Sequence, residues 1–472
     1  MCSHVERCPR IRIGLALALS GAPRCRIIRL PSMDYATCSV RERQVTHGPG
    51  GRILTNCNVW SPDSRRIVFD TRSDPAGDRF DGDRILTVDA DTLACHTIFT
   101  ARDNAKCGVA TFNPVRNQVA FILGPRHPTA DWSYGPARRQ GVLVDLEHPE
   151  EVTNLDARDI VPPYTPGALR GGTHVHVFSP DGAWVSFTYN DHVLESAPAA
   201  SGAEPDQRNV GVAAPFGPVR VPLRHERNHD GAFFSVLVSQ TVPNPAPGSD
   251  QIARAFEEGW IGVEGYVRPD GTRQRRALAF QGEVRSNGGN PHSEVFVLDI
   301  PENPTVPGTS GPLEGTPLTR PRPPRGTVQR RLTHTDGSRY PGLAGPRHWL
   351  RSSPDGSLIA FLMRDERGVV QIFGVSPCGG PPRQITRGTD SIQSAFTWSP
   401  DGAVIAHVMD GCVCVSHVRD GWTRRLTHKG TDRETPRPEA CVFSPDGRRI
   451  AYVRRVRDGG AEANQIFVLD LS

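Results

Sequence analysis

Histidines and other polar residues precede a short turn motif that recurs along the chain. The motif is Ser-Pro-Asp or a variant, and the residue just before it is Trp60, Phe112, Phe178, Ser352, Trp398 or Phe443. Four residues earlier stand Asn56, Gly108, His174, His348, Ser394 and Glu439. Two residues earlier stand Asn58, Ala110, His176, Leu350, Phe396 and Cys441. Equivalent positions in a repeat meet in space, so the sequence predicts one polar ring.

Three of these histidines suggest metal chemistry. Residues i and i+2 of a strand share a face, so we expect His174 and His176 to point the same way, with His348 joining them from another repeat. Imidazole ligands suit Mn, Fe, Ni or Zn, and Gln393, one step out of register, could add an oxygen donor. The alternative is that these histidines form hydrogen bonds inside a polar channel. The predicted ligand-binding residues are Asn56, Asn58, His174, His176, His348, Gln393 and Glu439.

The elements that position these residues are short strands. A second signature recurs at 43–48, 330–335, 383–388 and 424–429, as in RRLTHT and RRLTHK, and a third strand precedes it at 371–377 and 465–471. Pro presets φ and Gly supplies positive φ, so the Pro-Asp-Gly element favours a hairpin. Four strands repeated about every 45 residues predict an all-β fold, a β-propeller.

The number of blades follows from the spacing. Six turn motifs are explicit, and the long stretch between Phe178 and Ser352 has room for one enlarged blade, which makes seven; eight is the alternative if that blade is two. Its strands are predicted at 233–241, 276–282, 294–300 and 328–334. Insertions are predicted at 242–275, with a helix at 250–260, and at 301–326.

The ends of the chain predict how the ring closes. The last repeat ends on a third strand, and the missing fourth strand is 43–48 near the N-terminus, which would leave no open edge. We therefore expect a single propeller domain over 43–472 and an N-terminal extension over 1–42.

Two interpretations of the N-terminus remain open. Arg7, Arg10 and Arg12 followed by apolar residues 13–22 are typical of a secretory signal, which predicts a periplasmic protein. Alternatively Met33 is the true start, and a cytoplasmic protein is expected. The chain has 11 Cys, which we expect to be free thiols, since the Cys412–Cys414 spacing is poor for zinc.

Composition excludes several classes of function. The net charge is +4, with acidic residues interspersed among the basic ones, so we expect no nucleic-acid partner. No run of 18 apolar residues exists, and so a soluble chain with no membrane span is expected. The sequence also lacks a GxSxG elbow, a Walker loop and an HExxH motif. We expect a monomer.

Across 43–472 these repeats resemble TolB-like propellers. Long segments outside the repeats are similar to a family of uncharacterised bacterial TolB-like proteins of the YidR type, which carries a domain of unknown function. The segments are 156–182, 187–193, 208–219, 247–260 and 347–356. The resemblance implies a fold and no activity. By analogy with TolB it favours a non-catalytic scaffold that binds a protein partner or a small acidic or sugar ligand at the channel mouth.

A looser resemblance gives an enzymatic alternative. Oligogalacturonate lyases are seven-bladed propellers that hold a divalent metal with several His and a Gln, although Gly171 lacks the amide that their pattern requires. The resemblance implies a metal-dependent lyase acting on acidic sugars, in which a base removes the proton next to a carboxylate. The candidate bases are His192 and Tyr189, and the candidate carboxylate-binding residues are Arg170 and Arg347.

Overall fold

The chain folds into seven antiparallel four-stranded sheets, which are the seven blades of a β-propeller. The structure is a computed structural model that describes residues 33–431, 434–458 and 461–472. The predicted fold class and blade number are confirmed, and the enlarged blade is one sheet.

The strands follow one another in chain order from blade to blade. The first described strand is β1 (Val40–Gln44). Blade 1 contains β2 (Gly51–Ile53), β3 (Arg66–Arg72), β4 (Arg84–Asp89) and β5 (Cys95–Thr100). Blade 2 contains β6 (Cys107–Phe112), β7 (Gln118–Leu123), β8 (Gln140–Asp145) and β9 (His148–Asn154). A short parallel pair, β10 (Ala157–Arg158) and β11 (Ala168–Leu169), comes next. Blade 3 contains β12 (Gly172–Phe178), β13 (Val185–Asn190), β14 (Asn209–Ala214) and β15 (Phe234–Leu237).

The second half of the ring is built in the same way. Blade 4 starts with β16 (Ala255–Trp260), continues through a hairpin of β17 (Tyr266–Val267) and β18 (Arg273–Gln274), and adds β19 (Ala277–Arg285), β20 (Pro291–Asp299) and β21 (Val328–Arg331). Blade 5 contains β22 (Arg351–Ser352), β23 (Ile359–Arg364), β24 (Val370–Val375) and β25 (Arg383–Gln384). Blade 6 contains β26 (Thr397–Trp398), β27 (Val404–Met409), β28 (Cys412–His417) and β29 (Thr423–Arg425). Blade 7 contains β30 (Pro436–Phe443), β31 (Arg449–Asp458), β32 (Ala461–Leu471) and β1.

Helical structure is scarce in the described part of the chain. One α-helix, α1 (His192–Glu195), and two 3₁₀ turns, Pro136–Arg138 and Ala199–Ser201, are present. None of the described helices is long and apolar enough to cross a membrane.

The Ser-Pro-Asp-Gly motif makes the turn between the first two strands of a blade. In blade 6 the Ser399 hydroxyl donates to Asp401 at 2.6 Å, and the backbone N–H of Ala403 donates to the same carboxylate at 3.0 Å. Gly402 has a φ of 72°, a left-handed conformation that glycine adopts without steric cost. The motif therefore fixes where each innermost strand ends.

The ring closes through β1, which pairs antiparallel with β32 from Val40↔Leu471 to Gln44↔Phe467. Arg43 Nε donates to Asp470 at 2.6 Å across this pair. The sequence placed the closing strand at 43–48, and the structure places it a few residues earlier. Residues 33–42 are therefore part of the propeller and not of an extension: Tyr35 is buried and packs edge-on against Phe443. The predictions for residues 1–32 lie outside the described residues.

Blade 4 differs from its sequence interpretation. The helix predicted at 250–260 is wrong, because Ala255–Trp260 forms β16, the innermost strand of this blade. The strand predicted at 233–241 belongs instead to blade 3, as its outermost strand β15. The segment predicted as an insertion at 242–275 thus contains a blade strand. Residues 301–326 lie between β20 and β21, where Leu313 is buried in the core shared by blades 3 and 4.

Candidate functional site

A cavity of about 580 Å³ opens where the innermost strands begin around the propeller axis. Its walls come from blades 1, 2, 3, 5 and 7 and from the segments that join their strands. The lining residues are Ile53, Leu54, Thr55, Asn56, Asp70, Arg72, Gly77, Asp78, Phe80, Val109, Ile122, Tyr134, Arg139, His174, Val175, Arg208, Pro346, Arg347, Trp349, Pro438 and Glu439. The cavity lies at one mouth of the channel, where the sequence predicted a polar ring.

Three innermost strands carry a β-bulge of one extra residue. In β12, His174 pairs with Thr188 and Val177 pairs with Ser186. Val177 is three residues after His174, whereas their partners on β13 are only two residues apart, so β12 contains one extra residue. The same irregularity occurs in β6 and β16, and the extra residues Val109, Val175 and Glu257 all have positive φ, between 56° and 60°. A bulge reverses the alternation of side chains after it. Val109 and Val175 consequently line the cavity beside His174.

The bulge separates the two histidines that the sequence placed on one face. His174 lines the cavity, whereas His176 is fully buried, with its Nε2 3.0 Å from the Thr173 hydroxyl. A Cβ added at Gly141 would lie 2.6 Å from the same Nε2, which shows how closely His176 packs against blade 2. Burial lowers the pKa of His176 to about 3.

The predicted metal triad of His174, His176 and His348 does not form. His348 Nδ1 lies 2.9 Å from the Pro346 carbonyl, and the Leu362 N–H donates to its Nε2 at 3.1 Å. Both ring nitrogens are thus used by the backbone, and burial lowers the pKa of His348 to about 4. Since a metal ligand needs a free nitrogen lone pair, His348 does not suit one. It also lies outside the cavity lining.

The other predicted ligand-binding residues divide between the cavity and its surroundings. Asn56 and Glu439 line the cavity, as predicted. Asn58 is not among the lining residues and has a φ of 50°. Gln393 is exposed and accepts a hydrogen bond from the Gly411 N–H at 2.9 Å.

Of the four catalytic candidates, only Arg347 lines the cavity. Tyr189 is buried and donates to Asp191 at 3.2 Å, and Arg170 donates to the same carboxylate at 2.9 Å. Arg170 also donates to the Thr319 carbonyl at 2.8 Å, so it anchors the 301–326 segment. His192 packs edge-on against Trp132, with ring centroids 4.4 Å apart. These three residues hold loops together outside the cavity.

Guanidinium groups dominate the electrostatics of the cavity. Arg72 pairs with Asp70 at 2.7 Å, and Arg347 Nε donates to the buried Glu257 at 2.7 Å. Arg139 and Arg208 make no ion pair with a described residue, and the Nε of each has no hydrogen-bond partner there. Burial lowers the pKa of both. The cavity therefore holds two guanidinium groups that form no salt bridge with a described carboxylate, although the charge of Glu257 acts on Arg208 from a distance.

His174 is uncharged among these arginines. Its side chain is only 3% exposed, and its Nδ1 has no hydrogen-bond partner among the described residues. Burial, reinforced by Arg139, Arg208 and Arg347, holds the pKa of His174 well below its usual value. At neutral pH it is therefore a neutral imidazole with a free polar atom.

Aromatic rings form the remaining walls. Phe80 and Tyr134 stack with centroids 4.6 Å apart and an interplanar angle of 9°. Arg72 lies over Phe80 at 4.8 Å and Arg139 over Tyr134 at 4.9 Å. On the other side Arg347 lies 4.6 Å over Trp349. Such contacts fix guanidinium groups that would otherwise be mobile.

An apolar cluster packs beside the cavity. Cys57, Val109, Val175, Val177, Trp260 and Trp349 come from five different blades and pack together. Side chains from five blades can meet only near the axis, so the cluster lies against the cavity at the propeller axis. Arg351 of blade 5 also reaches Asn56 of blade 1 through a hydrogen bond.

A second polar cluster lies away from the cavity, on blade 4. His292, Glu294 and Asp336 place ligand atoms within 4.8 Å of one another. Glu294 is fully buried, and its Oε1 accepts from Arg331 at 3.0 Å, from the Thr335 N–H at 2.8 Å and from the Thr335 hydroxyl at 2.7 Å. A guanidinium and two further donors already saturate this oxygen, so the cluster is a structural ion-pair network.

The arginines that line the cavity were not predicted from the sequence, apart from Arg347. Arg72 is the last residue of β3, and Arg139 and Arg208 directly precede β8 and β14. These positions adjoin the mouth at which the innermost strands begin. An alignment of the repeats extended to the second and third strands would have found them.

Comparisons with known proteins agree with this architecture. A family model described as "Protein of unknown function (DUF3748)" matches residues 106–229. The "Uncharacterized protein YidR" of Escherichia coli (strain K12) is 46% identical over 414 residues, 87% of this chain and 94% of that protein.

Solved structures are similar at low sequence identity. An oligogalacturonate lyase in complex with manganese is 13% identical at a TM-score of 0.52, covering 92% of this chain and 96% of that one. The oligogalacturonate lyase from Vibrio parahaemolyticus is 10% identical at a TM-score of 0.51, covering 92% and 97%. A putative TolB from Agrobacterium tumefaciens is 14% identical at a TM-score of 0.35, covering 92% and 99%. The likeness to the two lyases concerns the fold.

Proposed function

The chain belongs to the YidR family, and from its site we propose that it is a ligand-binding propeller that takes up a small organic anion at the channel mouth, without catalysing a reaction on it. The observation that carries this proposal is a pair of arginines in one cavity, Arg139 and Arg208, that form no salt bridge with a described carboxylate. Arginine binds carboxylates and phosphates through paired N–H donors. An anion that enters the cavity would gain these partners.

The remaining charges of the cavity do not cancel this preference. Asp70 is paired with Arg72, and Glu439 accepts from Arg437 at 3.1 Å. Asp78 is exposed at the rim, where water and salt screen its charge. A volume of about 580 Å³ is within the usual range of small-molecule pockets.

The proposal is tested by titrating purified protein with a panel of small anions: uronates, dicarboxylates and phosphate esters. We expect a member of the panel to bind, and Arg139→Met and Arg208→Met each to weaken that binding about tenfold or more, since hydrogen bonds to charged groups contribute roughly 1.5–3 kcal/mol. Arg102→Met is the matched control, because Arg102 is exposed and is not among the residues that line the cavity. If both cavity variants bind as wild type does, the anion site is not here.

The alternative function, a metal-dependent lyase acting on acidic sugars, fits these residues less well. His348 has no free ring nitrogen. A Cβ at Gly171 would lie 2.0 Å from the Asn190 carbonyl oxygen, so this position has no space for the glutamine of the lyase pattern. The lyase would bind Mn, Fe, Ni or Zn stoichiometrically and raise absorbance near 235 nm with oligouronides. We expect neither result.

A further inference from the structure

The carboxylates that line the cavity indicate which uncharged groups a ligand could present. Two lining carboxylates, Asp70 and Glu439, are already paired with arginines. A carboxylate neutralised in this way still accepts hydrogen bonds, but it has little net attraction for a cation. These oxygens therefore suit neutral hydroxyl donors better than an ammonium group.

Several residues that line the cavity have polar atoms without a hydrogen-bond partner among the described residues. Glu439 Oε2, His174 Nδ1 and the indole N–H of Trp349 are buried and have no hydrogen-bond partner among the described residues. Trp349 is only 9% exposed and His174 only 3%. Buried polar atoms are rarely left unbonded, so their concentration here indicates groups that a ligand satisfies.

The aromatic walls favour a ligand with C–H faces. The stacked Phe80–Tyr134 pair and the ring of Trp349 belong to opposite walls, one from blades 1 and 2 and the other from blade 5. Ligand sites typically combine such apolar surfaces with a few polar groups that fix orientation. A saturated ring that bears hydroxyl groups presents both kinds of surface.

We propose that the ligand is a polyhydroxylated carboxylic acid of the sugar-acid class. Its carboxylate faces Arg139 and Arg208, and its hydroxyl groups face the paired carboxylates Asp70 and Glu439. This inference rests on the proposed function and names the chemistry of the ligand.

Isothermal titration with three matched compounds tests the inference. D-glucuronate carries the carboxylate and the hydroxyls, D-glucose lacks the carboxylate, and cyclohexanecarboxylate keeps the ring and the charge without hydroxyls. We expect glucuronate to bind about tenfold or more tightly than either. Equal binding of cyclohexanecarboxylate overturns the sugar-acid inference but leaves the anion site intact. Equal binding of glucose overturns both. Binding of none of the three overturns the sugar-acid inference, and the panel of small anions then decides the proposed function separately.

Two substitutions of Glu439 distinguish a ligand hydroxyl group at this residue from a ligand ammonium group. Glu439→Gln keeps an accepting oxygen and is expected to change glucuronate affinity less than about threefold, whereas Glu439→Leu removes it and is expected to cost about tenfold. Cyclohexanecarboxylate affinity should stay unchanged in both. Glu147→Leu, at an exposed turn, is the matched control, and thermal melts verify folding. Wild-type glucuronate affinity in Glu439→Leu, or a tenfold loss in Glu439→Gln, contradicts the assigned hydroxyl contact.

Discussion

A single backbone conformation decides which histidine reaches the ligand cavity. Val175 has a φ of 58°, which is uncommon for a β-branched residue, and it inserts one extra residue into β12. His174 therefore lines the cavity and His176 packs between blades 2 and 3. The equivalent bulge in β16 holds Glu257 beside Arg347 and leaves Glu258 fully buried. At each of these bulges, one of the neighbouring polar residues lies on the cavity side and another is fully buried.

Glu258 gives a prediction at this scale. Burial raises its pKa from 4.5 to about 7, while Thr188 donates to its Oε2 at 3.0 Å. The folded state therefore holds a proton that the unfolded chain loses above pH 4.5, and stability falls as the pH rises through 7. Glu258→Gln keeps the acceptor for Thr188 and removes the titration. We expect Glu258→Gln to raise the free energy of unfolding at pH 8 by up to about 3 kcal/mol more than it does at pH 5.

Denaturant unfolding at the two pH values measures this difference. Glu147→Gln, at an exposed position, is the control and should show no pH-dependent gain. An equal effect of Glu258→Gln at pH 5 and pH 8 would mean that folding does not raise the pKa of this carboxyl group.

At the scale of the strand, the shape of the cavity depends on a glycine in one innermost strand. Gly108 in β6 is the blade 2 counterpart of Asn56, His174 and Glu439. A Cβ at Gly108 would lie 2.6 Å from Asp70 Oδ2 and 2.9 Å from Phe80 Cε2. The missing side chain thus provides the space for the Asp70–Arg72 pair and for one aromatic wall.

Gly108→Ala is expected to weaken anion binding by about three- to tenfold, because the added methyl group displaces the ion pair and Phe80. The measurement is a titration with the best-binding anion, accompanied by a thermal melt. Gly337→Ala is the matched control, since a Cβ there meets nothing within 4 Å. Unchanged affinity in Gly108→Ala would show that the blade 1 wall does not contact the ligand.

At the scale of the whole molecule, closure of the ring holds the cavity walls together. Blade 7 supplies Glu439 and blade 1 supplies Asp70 and Arg72, and these two blades meet where β1 pairs with β32. Buried residues from both blades share one core, including Trp60, Val442 and Val468. Loss of β1 would expose β32 as an edge and loosen one side of the cavity.

Two truncations test this role of the closing strand. A chain that begins at Met33 keeps Tyr35 and β1 and is the reference. A chain that begins at His47 lacks both and should melt about 10 °C lower or more. Equal melting temperatures for the two chains would contradict closure through β1.

Much of the architecture could be predicted from the sequence, and the site only in part. The turn motifs and alternating strands predict seven blades and a closing N-terminal strand, because each blade repeats the same local chemistry. The structure brings Asn56, His174, Glu439 and Arg347 together in the cavity lining. The bulge at Val175 gives no signal in the residue types, since a valine is disfavoured at positive φ. Blade 4 was misassigned because residues 250–260 contain polar and charged residues typical of a helix, and no Ser-Pro-Asp turn follows them.

The central claim is that Arg139 and Arg208 together bind an organic anion at the channel mouth. Isothermal titration of D-glucuronate into wild type, the Arg139→Met/Arg208→Met double variant and the Arg102→Met control tests it most directly. We predict saturable one-to-one binding for wild type and control, weakened a hundredfold or beyond detection in a folded double variant, about tenfold for each guanidinium removed. Wild-type affinity in the double variant, or no binding to wild type, would contradict the account.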